Sequence, residues 1–264
     1  KRYLVSDFEI INTKYQIKNG IVQERKSSSK SLFYDDVYQL QDSIYSETTM
    51  FFSNPFIHLS PIAKETNTSD GDVLREEYIY PIDLSIPNPL EQSLIDQNRI
   101  TTPLKVKSIK NNINSSISSN LSQLDTEYFN FGNDLILPES ISTSKGGDPL
   151  EERIKYHSYD TYGNPLEVSK AGGTHISYIW GYNQSQPIAK IENATYSQIS
   201  TQVSNLQTKS DNDDDRTIGY LGNEGLLREA LDNLRVSLPD ALVTTFTYDP
   251  LIGVTSITDP RGNT

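Results

Sequence analysis

Tyr159-Asp160-Thr161-Tyr162-Gly163-Asn164-Pro165-Leu166-Glu167-Val168 is the stretch that decides the fold. Gly163 and Asn164 both tolerate positive φ at little cost, so the pair reverses the chain. Before it, Ile154, Tyr156 and Ser158 alternate with Lys155, His157 and Tyr159, which is strand periodicity. After it, Leu166 and Val168 resume the alternation, and run, Gly-bearing turn and run together make a hairpin. Ala171-Gly172-Gly173-Thr174 marks the next reversal, and His175-Ile176-Ser177-Tyr178-Ile179-Trp180 the next strand. Residues 151–191 therefore read as a meander of short antiparallel strands.

The unit recurs. Tyr248-Asp249-Pro250-Leu251-Ile252-Gly253-Val254 opens a second copy, and Asp259-Pro260-Arg261-Gly262-Asn263-Thr264 supplies its turn. A worn third copy is read at Tyr34-Asp35-Asp36-Val37-Tyr38-Gln39-Leu40. Gly71-Asp72-Val73-Leu74 through Tyr80 also aligns with Gly147-Asp148-Pro149-Leu150 through Tyr156, with Gly, Asp, Leu and a terminal Tyr in register. Either a divergent duplication or a shared turn demand explains that alignment. A hairpin signature that returns indicates a repeat architecture. The Asp of each unit reads as a turn cap and the Tyr as cover for the sheet face. The motif residues Tyr159, Asp160, Gly163, Asn164, Tyr248, Asp249, Asp259, Gly262 and Asn263 are thus expected to be structural.

Tyr-Asp-x-x-Gly-Asn-x-Leu resembles the YD repeat of bacterial RHS/YD-repeat proteins. The strings running from Ile154 to Asp160, Tyr178 to Asn183, Pro187 to Ala194 and Thr247 to Gly262 are similar to that family as well. The resemblance covers about residues 138–264 and is loose before them. It implies a β-solenoid shell in which consecutive hairpins coil around a hollow interior and enclose a C-terminal cargo, often a toxic enzyme. It also implies secretion to the outside or the surface of a Gram-negative bacterium, by the type 9 route. The implied partners are the rest of a longer polypeptide with its cargo, the secretion machinery and other surface proteins. The chain starts at Lys1 and stops at Thr264 just past a turn, which reads as a segment of such a polypeptide.

Composition suits a β protein. There are 16 Tyr against one Met and one Trp, and Tyr and Thr fit pleated, half-exposed surfaces. The hydrophobic share is 35%, low for a compact domain; a one-layer sheet with a wet face is expected rather than a two-layer sandwich. The net charge is −12, which argues against nucleic-acid binding and against adhesion to an anionic membrane. No run of about 18 apolar residues exists. With no cysteine there are no disulfides or thiolate metal sites.

One region breaks the β pattern. Tyr196, Ile199, Val203 and Leu206 form a helical stripe, and so do Leu227, Leu231, Leu234 and Leu238. Helices are predicted over roughly 195–207 and 224–238, as packing surface. Asn223 is the expected N-cap of the second, Glu224 suits its positive end, and Pro239 stops it. The domain reading is residues 1–137 as divergent hairpin repeats, 138–191 as the YD meander, 192–243 as a helical insertion and 244–264 as the start of the next repeat. Residues 111–120 read as a loop or a hairpin tip, and Lys26-Ser27-Ser28-Ser29-Lys30 as a turn or loop.

No catalytic, cofactor-binding or metal constellation is expected. Asp211-Asn212-Asp213-Asp214-Asp215 has the spacing of a calcium loop, but Arg216 stands where the turn needs Gly and Gly222 where a bidentate Glu belongs. The loop is expected to be a solvated acidic link. His58, His157 and His175 are scattered; His157 and His175 are placed on adjacent strands as a cross-strand polar pair. Glu151 and Glu152, like Glu76 and Glu77, point to opposite sheet faces. No nucleophile elbow or phosphate loop is present. The expected role is structural and not enzymatic. A surface binding module that stacks exposed Tyr and Trp180 on glycan is the competing reading.

Overall fold

The computed structural model describes residues 3–5, 15–18, 21–24, 26–34, 38–54, 57–112, 118–214, 219–249 and 252–264. The chain is mainly β and its strands pair antiparallel. It divides into two compact units, Lys1–Glu127 with Ile141–Glu151, and Tyr128–Ser140 with Glu152–Thr264.

The first unit holds β1 (Tyr3–Val5), β2 (Tyr15–Lys18), β3 (Ile21–Glu24), β4 (Lys26–Tyr34), β5 (Leu40–Phe52), β6 (Pro61–Asn67), β7 (Asp72–Ile79) and β8 (Lys105–Asn112). Strands β2 and β3 form a separate ribbon, and the sheet order is β1-β4-β5-β6-β7-β8. Two further strands, β9 (Ser118–Asn130) and β10 (Ile136–Lys145), give residues to both units. Side chains meet across these ladders mostly as polar pairs. Arg75 on β7 binds Glu65 on β6 at 2.6 Å and Glu77 at 2.7 Å, Lys110 binds Asp72 at 2.6 Å, and Thr48 meets Thr66 at 3.2 Å. Such half-exposed pairs contribute about 0.2–1 kcal/mol each. Among the described residues of this unit Ala63, Tyr80, Pro81 and Leu94 are the buried apolar side chains. That scarcity matches a sheet with little cover.

Several expectations are corrected here. Lys26 to Lys30 is not a turn but the start of β4, with Ser27, Ser28 and Ser29 opposite Thr48, Glu47 and Ser46. Pairing with β5 overrides the weak β preference of serine. Residues 111–112 end β8 and 118–120 begin β9, and the two strands pair as a hairpin, in keeping with the hairpin-tip reading; 113–117 lie outside the described residues. So do Asp35 to Val37 of the third repeat copy, whose flanks Tyr34 and Leu40 pair across β4 and β5. A helix that sequence reasoning missed, α1 (Pro89–Asp96), lies between β7 and β8. Its signal was present: Asn88 accepts from Glu91 N at 2.9 Å, Glu91 answers by accepting from Asn88 N at 2.6 Å, and Pro89 occupies the first turn.

The second unit continues, from the second residue of β11 (Glu151–Tyr159), through β12 (Pro165–Lys170), β13 (His175–Gly181), β14 (Gln186–Glu192), β15 (Leu242–Asp249) and β16 (Gly253–Thr258), in that sheet order. The meander over 151–191 and the strands over 244–264 are therefore as expected. Helices α2 (Tyr196–Asp211) and α3 (Gly222–Ser237) intervene between β14 and β15. Ile199, Val203 and Leu206 of α2 and Leu227, Leu231 and Leu234 of α3 are buried with Ile179, Ile188, Ile191 and Val243 of the strands. Fully burying each such side chain contributes about 1.5–3 kcal/mol, so this core holds most of the apolar stabilisation among the described residues. Asn223 is not the cap of α3. The helix begins at Gly222 behind Leu221, which has extended geometry, and Glu224 lies buried in the first turn. Its carboxylate accepts from Gly219 N at 3.2 Å and Thr247 Oγ1 at 3.1 Å.

Candidate functional site

Two turns of the second unit are built to one plan. In residues 160–164, Asp160 Oδ1 accepts from Tyr162 N at 2.9 Å and Asn164 N at 2.8 Å, and Oδ2 accepts from Asn164 Nδ2 at 2.9 Å. The backbone closes with Asp160 N on Asn164 O at 2.9 Å, and Gly163 takes φ +86°. In residues 259–263, Asp259 Oδ1 accepts from Arg261 N at 2.8 Å and Asn263 N at 2.9 Å, and Oδ2 from Asn263 Nδ2 at 3.0 Å. Asp259 N bonds Asn263 O at 2.9 Å, and Gly262 takes φ +83°. The two turns agree bond for bond. The repeated unit is thus Asp-x-x-Gly-Asn, and Asp259, not Asp249, is the counterpart of Asp160. Tyr248 and Asp249 end β15 in a different turn, where Asp249 pairs with Gly253.

The first turn is tied onward. Asn164 Nδ2 also donates to Gln184 O at 2.8 Å, in the β13–β14 loop. That loop is left-handed through Tyr182, Asn183 and Gln184. Its amides meet the end of α2: Tyr182 N donates to Ser210 Oγ at 3.1 Å and Asn183 N to Asp211 Oδ1 at 2.6 Å. Tyr182 Oη donates to Asp213 Oδ2 at 2.6 Å and accepts from Tyr248 N at 2.9 Å. The acidic link is therefore not simply solvated. Asp213 is buried and Asp211 belongs to α2, while 215–218 lie outside the described residues. Burial, then the Asp213 bond, raises the Tyr182 phenol far above its ordinary 10.0.

A second repeated contact was not foreseen. An aromatic donor at the end of one strand reaches the carbonyl of a proline near the start of the strand before it. Tyr80 Oη meets Pro61 O at 2.9 Å, Tyr159 Oη meets Pro138 O at 2.7 Å, Trp180 Nε1 meets Pro165 O at 2.9 Å, and Tyr248 Oη meets Pro187 O at 3.0 Å. Proline has no N–H to leave unpaired, so it opens a strand at little cost. Pro61, Pro165 and Pro187 each pair across a β-bulge, where the ladder is interrupted. The aromatic donor satisfies the carbonyl there. This contact also corrects the alignment of the two Gly-Asp strings, because Tyr80 corresponds to Tyr159 and not to Tyr156. Its sequence signal is a proline followed by an aromatic residue 15 to 21 positions later; the α2–α3 insertion stretches the last pair to 61.

The histidines fall into two environments. His58 is buried, with Nε2 at 3.0 Å from Ser53 Oγ and 3.2 Å from Asp83 Oδ1. His157 and His175 are not on adjacent strands, because β12 lies between β11 and β13. They meet across it, with ring centroids 4.8 Å apart and planes at 27°. Two residues of β12 fill the gap. His157 Nε2 lies 2.8 Å from Ser169 Oγ, and His175 Nδ1 lies 2.5 Å from Glu167 Oε1. Glu167 Oε2 accepts from Tyr196 N at 2.7 Å, at the first residue of α2. Among the described residues, His157, Glu167 and His175 are the group able to hold a metal ion, with ligand atoms within 4.8 Å of one another.

No family model matches the chain, and no curated protein sequence matches it.

Proposed function

We propose that this chain is a wall segment of an RHS/YD-repeat protein, secreted or surface-bound, whose β shell carries a toxin or effector cargo. The observation that carries the reading is the bond-for-bond identity of the turns at 160–164 and 259–263. A turn that recurs with the same three side-chain hydrogen bonds fits a stacked repeat, where each hairpin presents the same seat to the next. The aromatic-to-proline contacts support it, since they recur on four pairs of consecutive strands and include Tyr80, before the clear motifs. In this reading the polar side chains are committed to holding hairpins together, and no group is set aside for catalysis.

The glycan-binding alternative draws less support. Trp180 is half-buried and its Nε1–H is taken by Pro165 O. Tyr80, Tyr159 and Tyr248 likewise donate to carbonyls, and they pack against other aromatic rings. Electron microscopy of the polypeptide expressed with its native flanking sequence, paired with a glycan array, tests the choice. A hollow β-walled particle without glycan binding is expected. Compact particles that bind glycan, with binding lost in Trp180→Ala, would overturn the proposal.

A further inference from the structure

We propose that His157, Glu167 and His175 form a binding site for a first-row transition-metal dication of the zinc class, clipping three strands and a helix together. The inference is independent of the wall reading. It rests on how four elements converge on one spot.

The backbone sets the ligands. Tyr156 pairs with Val168 and Ser158 with Glu167, so β11 carries one extra residue at His157. A bulge of this kind re-aims a side chain and lets two residues face one partner. His157 is thereby brought to the Glu167 position of β12. On the other side of β12, Ser169 pairs directly with His175. Residues two apart on a strand share a face, so Glu167 and Ser169 point the same way. The result is an imidazole from each flanking strand meeting a carboxylate from the middle one. Spacings of ten and eight residues along the chain form no recognisable local motif, so the site was invisible in the sequence.

The chemistry selects the ion. Two imidazoles and one carboxylate are the ligand types of zinc and its neighbours, whereas calcium and magnesium take oxygen donors. Three protein ligands leave a fourth position for water, and His157 lies on the solvent side. Zinc–nitrogen and zinc–oxygen bonds are about 2.0–2.2 Å. A cation between His175 Nδ1 and Glu167 Oε1 therefore widens their 2.5 Å contact, which small side-chain rotations supply. Coordination at His175 Nδ1 needs that nitrogen free of its proton, which a neutral ring carries on Nε2 instead.

The support is already in place. Metal-bound carboxylates are held by outer hydrogen bonds that fix their orientation. Glu167 has this in the Tyr196 N–H, at the positive end of α2, which holds Oε2 and leaves Oε1 toward the histidines. Ser169 Oγ fixes the His157 ring in the same manner. The bound ion would join β11, β12 and β13 and, through Glu167, the start of α2.

The test uses the whole 264-residue chain, freed of metal with a chelator. Zinc chloride is titrated by calorimetry and cobalt chloride by visible absorption. One equivalent should bind at micromolar concentration, and cobalt should give the intense bands of four- or five-coordination. His157→Ala, His175→Ala and Glu167→Gln should each weaken binding by about tenfold or more. Glu167→Gln keeps an acceptor for Tyr196 N, and circular dichroism reports whether each variant is folded. Cobalt bands of the aqua ion alone, in the unaltered chain, overturn the proposal whatever the variants do. Undiminished binding in a folded double variant of both histidines overturns it too.

Discussion

Asp160 and Asp259 each fold one carboxylate back over two backbone amides and one side-chain amide, yet their surroundings differ. The Asn164 partner of Asp160 is half-buried and passes its bond on to Gln184, whereas the 259–263 turn is exposed. Asp160→Ala therefore strips three donors at a packed junction and should cost about 1.5–3 kcal/mol. Urea denaturation measures it, and a loss no larger than that of Tyr162→Phe, at the exposed neighbouring residue, would contradict the account. Asp259 is better suited to direct titration. The Asn263 side chain first, then its backbone amide, holds the Asp259 carboxyl below the ordinary 3.8. A depressed folded value means the turn gains from this charge above the ordinary carboxylate range and loses the gain as pH falls through the lower value. Carboxyl NMR should place the Asp259 midpoint below 3.8, and a midpoint at or above it would show that the three donors do not bind the charged form.

The strands and helices of the second unit were largely legible because their patterns are local. Period-two alternation and Gly-Asn turns mark 151–191, and the stripes at Ile199 and Leu231 mark α2 and α3. The Lys26–Lys30 segment was missed because serine carries little strand signal until β5 pairs with it. The bulge at His157 was missed because an extra residue in a ladder leaves no trace in hydrophobic periodicity, and the metal-ligand cluster disappeared with it. Asp213 has no local signal of burial because its partner, Tyr182, lies 31 residues away. The same distant docking explains Gly181. A Cβ there would lie 2.2 Å from Ser210 Oγ, 2.8 Å from Ser210 Cβ and 2.9 Å from Ile188 Cγ2. Both neighbours are fully buried. Gly181→Ala should cost about 1–3 kcal/mol by overpacking, as a lowered melting temperature, although Gly→Ala within a strand ordinarily helps. An unchanged or raised melting temperature would mean that the end of α2 can withdraw freely from β13.

Across the whole molecule, stability depends on tyrosines that are buried as phenols and on strands that end at an open edge. Burial raises Tyr159 and Tyr182 well above the ordinary 10.0, and burial followed by the Glu76 bond pushes Tyr78 up to about 12. Raised values mean that the neutral phenols stabilise the fold fully below about pH 10 and that this is lost as pH climbs through the folded values. In an alkaline titration, Tyr78, Tyr159 and Tyr182 should ionise only above the ordinary phenol range, as the chain unfolds. Ionisation of these three near pH 10 in the folded chain would show that the phenols are not protected. The edge leads to the last expectation. Among the described residues, strand β16 pairs with β15 on one side only. Its sequence, Gly-Val-Thr-Ser-Ile-Thr, has no charge and no proline, the two devices that usually keep an edge strand from pairing with other chains. Val254 and Ile257 are 51% and 54% exposed on it. The net charge of −12 slows encounters but leaves the open N–H and C=O groups of β16 unsatisfied by protein. The chain should therefore associate through β16 as its concentration rises, seen as a growing sedimentation coefficient. Ile257→Lys should suppress the association by placing a charge on the edge. A monomer at every concentration would mean that the edge is self-sufficient, and that β16 needs no neighbouring strand to complete the sheet.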